Sequence, residues 1–398
     1  QHFILVFIDL DGFKAINDNA GHERGDIELQ RVGALLTAIF GPIGEVGRWG
    51  GDEFIAVLPN QNVEEIAERS ERLISQIEED AITVKTSELR LSASIGIAEF
   101  PEHSDNLESL VQCADAAMYR AKELGKGQAF IYESGLYESM TQQVSMVNDL
   151  RRTVENHLLD FYIQGKYDLN GELKGGEVLC RWISGLHGVV SPAVFIPIAE
   201  EHKLDSAIGL QALEAACDYI SIMESQQGDA IPLSVNISAN QMLDPEFPNQ
   251  AMSICMDNDV SPEFIELELT ESVFIRDEKS ALRALNTLRD HGFRLSLDDF
   301  GSGFSSLSYL RSFQFEVVKV DKSLIQGIHQ DSKANALFNG LIAMLKSLQI
   351  DVVAEGVELE SYLPFMEQAD IQLMQGFYFD KPMPYDQFLA RHTTEPNR

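Results

Sequence analysis

The sequence has 398 residues, 30 Lys and Arg against 63 Asp and Glu, a formal charge of −33 and 44% hydrophobic residues. At roughly 100–200 residues per domain this length suits two domains, one of which has room for a barrel of about 250 residues. The hydrophobic share excludes an acidic disordered tail, and the negative excess disfavours DNA or RNA polymers, whose phosphates are bound by basic patches. Cys113, Cys180, Cys217 and Cys255 lie far apart, without CxxC or Cys/His zinc spacing, and read as reduced core thiols of a cytoplasmic chain. No apolar run approaches the roughly 18–20 residues of a membrane span, and no signal peptide precedes the first strand. A chain that starts at Gln1 and enters a strand almost at once is expected to be the C-terminal part of a longer protein, with a sensor region upstream that could carry a membrane anchor.

Residues 3–9 (FILVFID) form a continuous apolar run of strand length ending in a carboxylate. Residues 24–40 place Ile27, Val32, Leu35, Leu36 and Ile39 near helical spacing and stop at Gly41-Pro42. Two short strands around Gly50-Gly51 read as a hairpin by turn chemistry. A helix over 63–78, a strand over 89–98, a helix over 107–124 and a strand near Phe130 follow. The order β-α-β-β-α-β-α-β predicts an α+β domain over residues 1–134, and a polar helical stretch over 135–156 reads as a connector. From 157 to 398, strand signals (GEVLCRW, PLSVN, FIELEL, RLSLDD, EVVKVD, DVVAE, IQLMQG) alternate with helical patterns. Repeated βα units predict a closed, TIM-like (β/α) barrel whose chemistry sits at the C-terminal strand ends. Asn236, Glu268, Asp298, Lys319, Glu355 and Gln375 end successive strands and together define one face.

Asp9-Leu10-Asp11 at a strand end and Asp52-Glu53 in the turn of RWGGDEF would form an acidic cluster if those elements are adjacent. The turn glycines admit a nucleotide to the backbone, and the carboxylates suit Mg²⁺ held against phosphates, with Lys14, Lys122 and Lys126 as neutralising cations. An ordinary hairpin with solvated acids would account for a lone GGDE. RWGGDEF, however, follows IDLDGFKAINDNAGHERGD and precedes ADAAMYRAKELGKG, and this order resembles the GGDEF domain of diguanylate cyclases, a palm-like, nucleotidyl-cyclase type fold that condenses two GTP into cyclic di-GMP. The resemblance covers residues 1 to about 132. It implies Mg²⁺ at Asp9, the Leu10 carbonyl and Asp52, with Glu53 completing the acidic pair. It places Asn17 and Asp26 on guanine, and Lys14, Lys122 and Lys126 on phosphates. The family's opening DxLTGLxNR-like stretch is absent, so the domain is expected to be N-terminally incomplete. Where the family's product-inhibition motif RxxD would stand, the chain has Gly41-Pro42-Ile43-Gly44, so no inhibition is expected through that site. Lys126 replaces a common Arg and loses its bidentate fork.

In the second half, Asp298-Asp299 is the most informative pair. Adjacent acids ending an apolar strand incur desolvation and repulsion unless cations occupy the site. Glu177, Asn236 and Glu268 would complete an oxygen-rich shell for Mg²⁺ or Mn²⁺. Paired cations there would polarise a phosphodiester, Lys319 and Glu355 would orient or deprotonate water, and Arg181 would hold a phosphate oxygen. Strand-end acids paired with neighbouring Lys or Arg would explain any one of these residues, but poorly explain the set. GGEVLCRW, then FIPIAE, SVNIS, ELTES, DDFGSGFSSL, VVKVD, AEGVE and QGF, resembles the EAL phosphodiesterases, which hydrolyse cyclic di-GMP to linear pGpG on a (β/α) barrel. The resemblance implies metal ligands Glu177, Asn236, Glu268, Asp298 and Asp299, the base Glu355, and Lys319 positioning water. It implies substrate support from Gln164, Gln375 and Arg181, and Glu271 bracing the loop Gly301-Ser302-Gly303. Val178 replaces the usual Ala, adding carbons beside Glu177 that would shift metal geometry, and Gln164-Gly165 replaces Gln-Pro, which would loosen the backbone.

The expected function is metal-dependent hydrolysis of cyclic di-GMP, with two cations per barrel site. The first domain is expected to bind GTP with Mg²⁺ and either make cyclic di-GMP or tune the barrel. A net cyclase and a non-catalytic cyclic di-GMP receptor are the alternatives, and a homodimer is expected from both families.

Overall fold

The computed structural model describes residues 2–79, 82–84, 87–301, 313 and 315–393. Their contacts divide the chain into two units, Gln1–Ser145 and Met146–Arg398.

The first unit is built on strand β1 (Phe3–Asp11), helices α1 (Phe13–Ala20) and α2 (His22–Phe40), and the hairpin β2 (Glu45–Gly50) and β3 (Glu53–Pro59). Helix α3 (Val63–Glu78), short strands β4 (Ile82–Val84) and β5 (Ser87–Leu89), β6 (Ser92–Phe100), α4 (Leu107–Glu123), β7 (Ala129–Ile131) and α5 (Leu136–Glu155) follow. The sheet order is β2-β3-β1-β6-β7, with β1 antiparallel to both β3 and β6. Alternation explains why β1 reads as an unbroken apolar run: Ile4, Val6 and Ile8 pack with α2 and α3, while Leu5 and Phe7 pack with α4. Three expectations need correcting. An additional helix, α1, precedes the one expected over 24–40, and Gly21, at φ 85°, separates it from α2. Ile27 is 54% exposed, and the buried face of α2 is carried by Leu29, Val32, Leu36 and Phe40. Leu89 belongs to the small hairpin, and the central strand begins at Ser92. The division between units falls within α5, inside the stretch expected to be a connector.

The second unit closes a barrel from β8 (Asp160–Tyr167), β9 (Leu173–Ser184), β11 (Leu233–Asn236), β12 (Ile265–Thr270), β13 (Arg294–Phe300), β14 (Val317–Val320), β15 (Asp351–Ala354) and β16 (Leu373–Met374). Strands β10 (Gly188–Val190) and β17 (Met383–Pro384) extend it. Strands β9 and β11 through β16 run parallel, but β8 is antiparallel to both neighbours and joins β9 as a hairpin. The barrel is therefore not a uniform βα repeat. The intervening helices α6 (Pro192–Glu201), α7 (Asp205–Gln227), α8 (Ala239–Met242), α9 (Phe247–Asp257) and α10 (Ser272–Asp290) begin an outer layer that continues with Ser332–Ser347 and Tyr385–Thr393. Between this layer and the strands lies a core including Leu213, Cys217, Leu233, Leu267, Leu285, Val318 and Phe338. All four cysteines are free.

Candidate active sites

Inside the barrel, Lys319 on β14 is 1% exposed and surrounded by acids. Its Nζ lies 2.7 Å from Glu268 Oε2, 2.8 Å from Glu355 Oε1, 3.2 Å from Asp298 Oδ1 and 3.3 Å from Glu177 Oε2. An ammonium has three donors, so four carboxylate neighbours leave it none for water in this arrangement. Orienting water would require Lys319 to release a partner. Glu268 is fully buried, and its other oxygen accepts a 2.9 Å bond from Lys166 Nζ, which also donates to Glu266 Oε1 at 2.8 Å.

Asn236 donates its amide to Glu177 Oε1 at 2.6 Å, and Gln375 Nε2 donates to Glu177 Oε2 at 2.7 Å. Gln164 Oε1 accepts from the same Gln375 nitrogen at 3.2 Å, while its own amide donates to the Asp380 carbonyl at 3.1 Å. Gln164 thus braces Gln375. The buried Oε1 of Gln375 has no donor, leaving an acceptor for a ligand or water. Asp299 adopts φ 56°, the left-handed region that non-glycine residues seldom occupy, and its N–H donates to Asp298 Oδ1 at 2.9 Å. Carboxylate oxygens of Asp298, Asp299 and Glu355 all lie within 4.8 Å of one another.

Burial pushes the Glu355 carboxyl up to about 8, with Asp298 and Glu177 adding to the shift and Lys319 opposing it. Burial also raises Glu177, Asp298 and Asp299. For Glu268 burial acts in the same direction, yet Lys166 and Lys319 outweigh it and hold the carboxyl down at about 2. Five clustered carboxylates thus share two ammonium groups, one of which also serves Glu266. An all-oxygen donor set with surplus negative charge fits hard divalent cations.

A cleft of about 310 Å³ is lined by Gln164, Glu177, Glu355, Gln375 and Phe377. A second recess of about 310 Å³ is lined by Arg181, Val178, Asn236, Asp205 and Ile208. Arg181 is half-buried, lies over the Tyr162 ring at 5.6 Å and has no carboxylate partner among the described residues, as suits an anion-binding guanidinium. Val178 faces away from Glu177 and packs with Ala212 and Leu213 of α7, so its added carbons meet the helix layer instead of the acidic cluster. Gly165 is not loosened: its N–H donates to Asp380 at 3.3 Å, and a Cβ there would meet the Tyr167 ring at 2.6 Å. Proline could supply neither the proton nor the space. Glu271 stands at the start of α10; Ser302 and Gly303, which it was expected to brace, lie outside the described residues.

In the first unit the β1–β3 register sets Asp9 directly opposite Glu53, with Asp52 in the adjoining turn. Asp9 Oδ1 pairs with Lys122 Nζ at 2.8 Å. Burial raises the Glu53 carboxyl, and Asp9, Asp115 and Asp52 raise it further. Leu10 is buried beneath this cluster, whereas Lys14, Asp26 and Lys126 are exposed. Asn17 rests against Gly25, its Oδ1 2.1 Å from where a Cβ would stand, beside Asp26. Asp11 accepts from Ser94 Oγ at 2.7 Å and the Gly127 N–H at 3.2 Å, fastening the loop that carries Lys126. Three residues escaped the sequence analysis. Lys166 lies on the strand it did not identify. Asp115, raised by burial, lies within electrostatic reach of Asp9 and Lys122. Arg48 donates from Nε and Nη2 to the Gly51 carbonyl at 2.9 and 2.6 Å and clamps the acidic turn. The pattern Arg-x-Gly-Gly could have pointed to Arg48.

Family models match residues 147–382 as the EAL domain and residues 1–128 as the diguanylate cyclase, GGDEF domain. The chain is 34% identical over 391 residues to the Pseudomonas aeruginosa protein named bifunctional diguanylate cyclase/cyclic di-GMP phosphodiesterase MucR, covering 98% of this chain and 57% of that one. It is 31% identical over 380 residues to the Escherichia coli cyclic di-GMP phosphodiesterase PdeR, covering 96% and 57%. The chain thus spans about half the length of the curated relatives it matches. Among solved structures, the P. aeruginosa MucR phosphodiesterase in complex with c-di-GMP matches with a TM-score of 0.58 and 32% identity, covering 62% of this chain and 100% of that one. No helix among the described residues is long and apolar enough to cross a membrane. With the barrel, the acidic strand ends and these matches in agreement, the chain belongs to the EAL domain family, as a tandem in which a GGDEF domain precedes the EAL domain.

Proposed function

We propose that the barrel hydrolyses cyclic di-GMP to linear pGpG, using two Mg²⁺ or Mn²⁺ ions held by Glu177, Asn236, Glu268, Asp298 and Asp299. The observation that carries this reading is the crowding of Glu177, Glu268, Asp298 and Glu355 around Lys319 at one end of the barrel. Bound cations would neutralise this cluster and polarise the scissile phosphodiester. Burial raises the Glu355 carboxyl to about 8 in the cation-free chain, and cations bound beside it would favour the ionised form that can accept a proton from water. Arg181 supplies a guanidinium that has no carboxylate partner among the described residues and donates one bond to the Cys180 carbonyl, and Gln375 both braces Glu177 and offers a free acceptor. A receptor that only binds cyclic di-GMP would not need the intact acidic set. The 32%-identical MucR structure with c-di-GMP supports the substrate.

For the first unit, the reading is GTP bound with Mg²⁺ at Asp9, the Leu10 carbonyl and Asp52, with Glu53 assisting, and either synthesis of cyclic di-GMP or control of the barrel. Asn17 and Asp26 would meet guanine, and Lys14, Lys122 and Lys126 the phosphates. The whole protein is read as a cytoplasmic-facing homodimer. Glu177→Ala and Glu355→Gln should each lower cyclic di-GMP hydrolysis by about 10²–10⁴-fold, measured as pGpG formed. Hydrolysis that survives both substitutions would refute the assignment. GTP turnover, where present, should vanish on Asp52→Ala; hydrolysis accelerated by GTP without any cyclic di-GMP formed would instead assign the unit a sensor role.

A further inference from the structure

We propose that Lys166 is a positioning residue for the metal ligand Glu268, fixed in place by Glu266. This rests on the metal-site reading above. Strand β8 runs against its neighbours, so its inward side chains approach the acidic cluster from a strand that carries none of the ligands. Lys166 is 4% exposed, and its ammonium meets two carboxylates of β12, Glu266 Oε1 at 2.8 Å and Glu268 Oε1 at 2.9 Å. Residues 266 and 268 are two apart on one strand and therefore share a face. Arg294 Nη2, 4.0 Å from Glu266 Oε2, holds the other side of Glu266. A buried ammonium loses its hydration, a cost that a purely apolar filler would avoid.

The two oxygens of Glu268 have different surroundings. Oε2 meets Lys319, which is shared with Glu177, Asp298 and Glu355 and stands within the ligand face. Oε1 meets Lys166, whose ion-pair partners are Glu266 and Glu268. Cations entering the cluster compete with Lys319 for its carboxylates, but they need not displace Lys166. Lys166 therefore pins one oxygen of Glu268, fixes the carboxylate plane and leaves the other directed at the ions. Hydrogen-bonded supports of this kind typically change metal affinity by about 10–100-fold when removed.

The test is calorimetric titration of Mn²⁺ into the full chain, in an Asp9→Asn/Asp52→Asn background so that the first unit contributes no site. Lys166→Met strands two acids, so the informative variant is Lys166→Met/Glu266→Gln, which removes one charge of each sign; circular dichroism checks its fold. The expected result is a 10–100-fold weaker Mn²⁺ affinity, with hydrolysis partly recovered at high Mn²⁺. Affinity unchanged within twofold overturns the role of Lys166 alone. Failure of the unsubstituted barrel to bind Mn²⁺ overturns the metal-site reading, and this role with it. Should the double variant unfold, Lys166→Arg decides by the same titration: the longer, planar group should weaken Mn²⁺ binding, and unchanged affinity overturns the proposal.

Discussion

The two acidic sites hold their carboxylates in opposite ways. In the barrel, Glu268 is fully buried between two buried lysines, and Lys319 touches four acids. In the first unit, Asp52 and Glu53 are part-exposed in and beside a hairpin turn, and Asp9 has one lysine partner, Lys122, whose side chain is 28% exposed. The barrel carries ammonium groups of its own that hold its carboxylates in place, whereas the GGDEF turn leaves most charge compensation to solvent. Arg48, bonded to the Gly51 carbonyl, fixes the shape of that turn without neutralising its acids.

The contrast breaks most directly at the lysines. Lys319→Met should destabilise the metal-free chain by about 3–5 kcal/mol, because it leaves buried carboxylates uncompensated. Mn²⁺ should restore part of that loss in a thermal melt. A substitution that costs nothing would mean the cluster is protonated or hydrated instead of held by Lys319. Next in size, Gly44→Asp should cost about 1–3 kcal/mol. A Cβ at Gly44 would stand 2.2 Å from the Val57 carbonyl oxygen and 2.7 Å from Leu58 Cδ2, so the aspartate of an RxxD motif cannot be accommodated without moving β3. Denaturant unfolding of that variant measures the cost. Lys122→Met, the counterpart of Lys319→Met in the first unit, should cost at most about 1 kcal/mol, as expected for a partly solvated pair. Equal losses at the two lysines would erase the distinction between the sites.

The pH dependence sharpens the same comparison. Glu355, raised to about 8 from an ordinary 4.5, keeps its proton in the folded chain where the unfolded chain has lost it. Its contribution to metal-free stability therefore falls as pH rises from about 4.5 to about 8. Glu268, held at about 2, works in the opposite sense, and its contribution disappears as pH falls from 4.5 toward 2. Denaturant midpoints measured with EDTA should fall across the upper window, and saturating Mn²⁺ should flatten that slope. The smallest effect on hydrolysis is expected at Val178→Ala: a change of less than threefold, because Val178 faces away from Glu177, beside a stability loss of about 1–2 kcal/mol from the helix-facing core.

Most of the barrel site was legible because its polar residues end apolar strands, a contrast that marks Asn236, Glu268, Asp298 and Lys319 in single-sequence reading. Strand β8 escaped because DFYIQGKY places Gln164 and Lys166 on the barrel interior, where an apolar pattern would normally announce a strand. Its antiparallel direction, too, has no local signature. Gly165 shows a similar limit. In sequence it suggests looseness, while the contacts of Asp380 and Tyr167, one of them more than two hundred residues away, tie it down. In the first unit, Ile27 fits the helical period yet faces solvent, because the burial of α2 is set by Leu29, Val32 and Leu36 against the sheet. The GGDEF turn was found through its motif, whereas the opposition of Asp9 to Glu53 required the β1–β3 register.

The central claim is tested most directly by one product assay: the chain incubated in parallel with cyclic di-GMP and with GTP, each with Mg²⁺, Mn²⁺ or EDTA, and the nucleotides separated chromatographically. The account predicts linear pGpG from cyclic di-GMP with either metal and none with EDTA, whatever the fate of GTP. Cyclic di-GMP that is bound but left intact with both metals would contradict it.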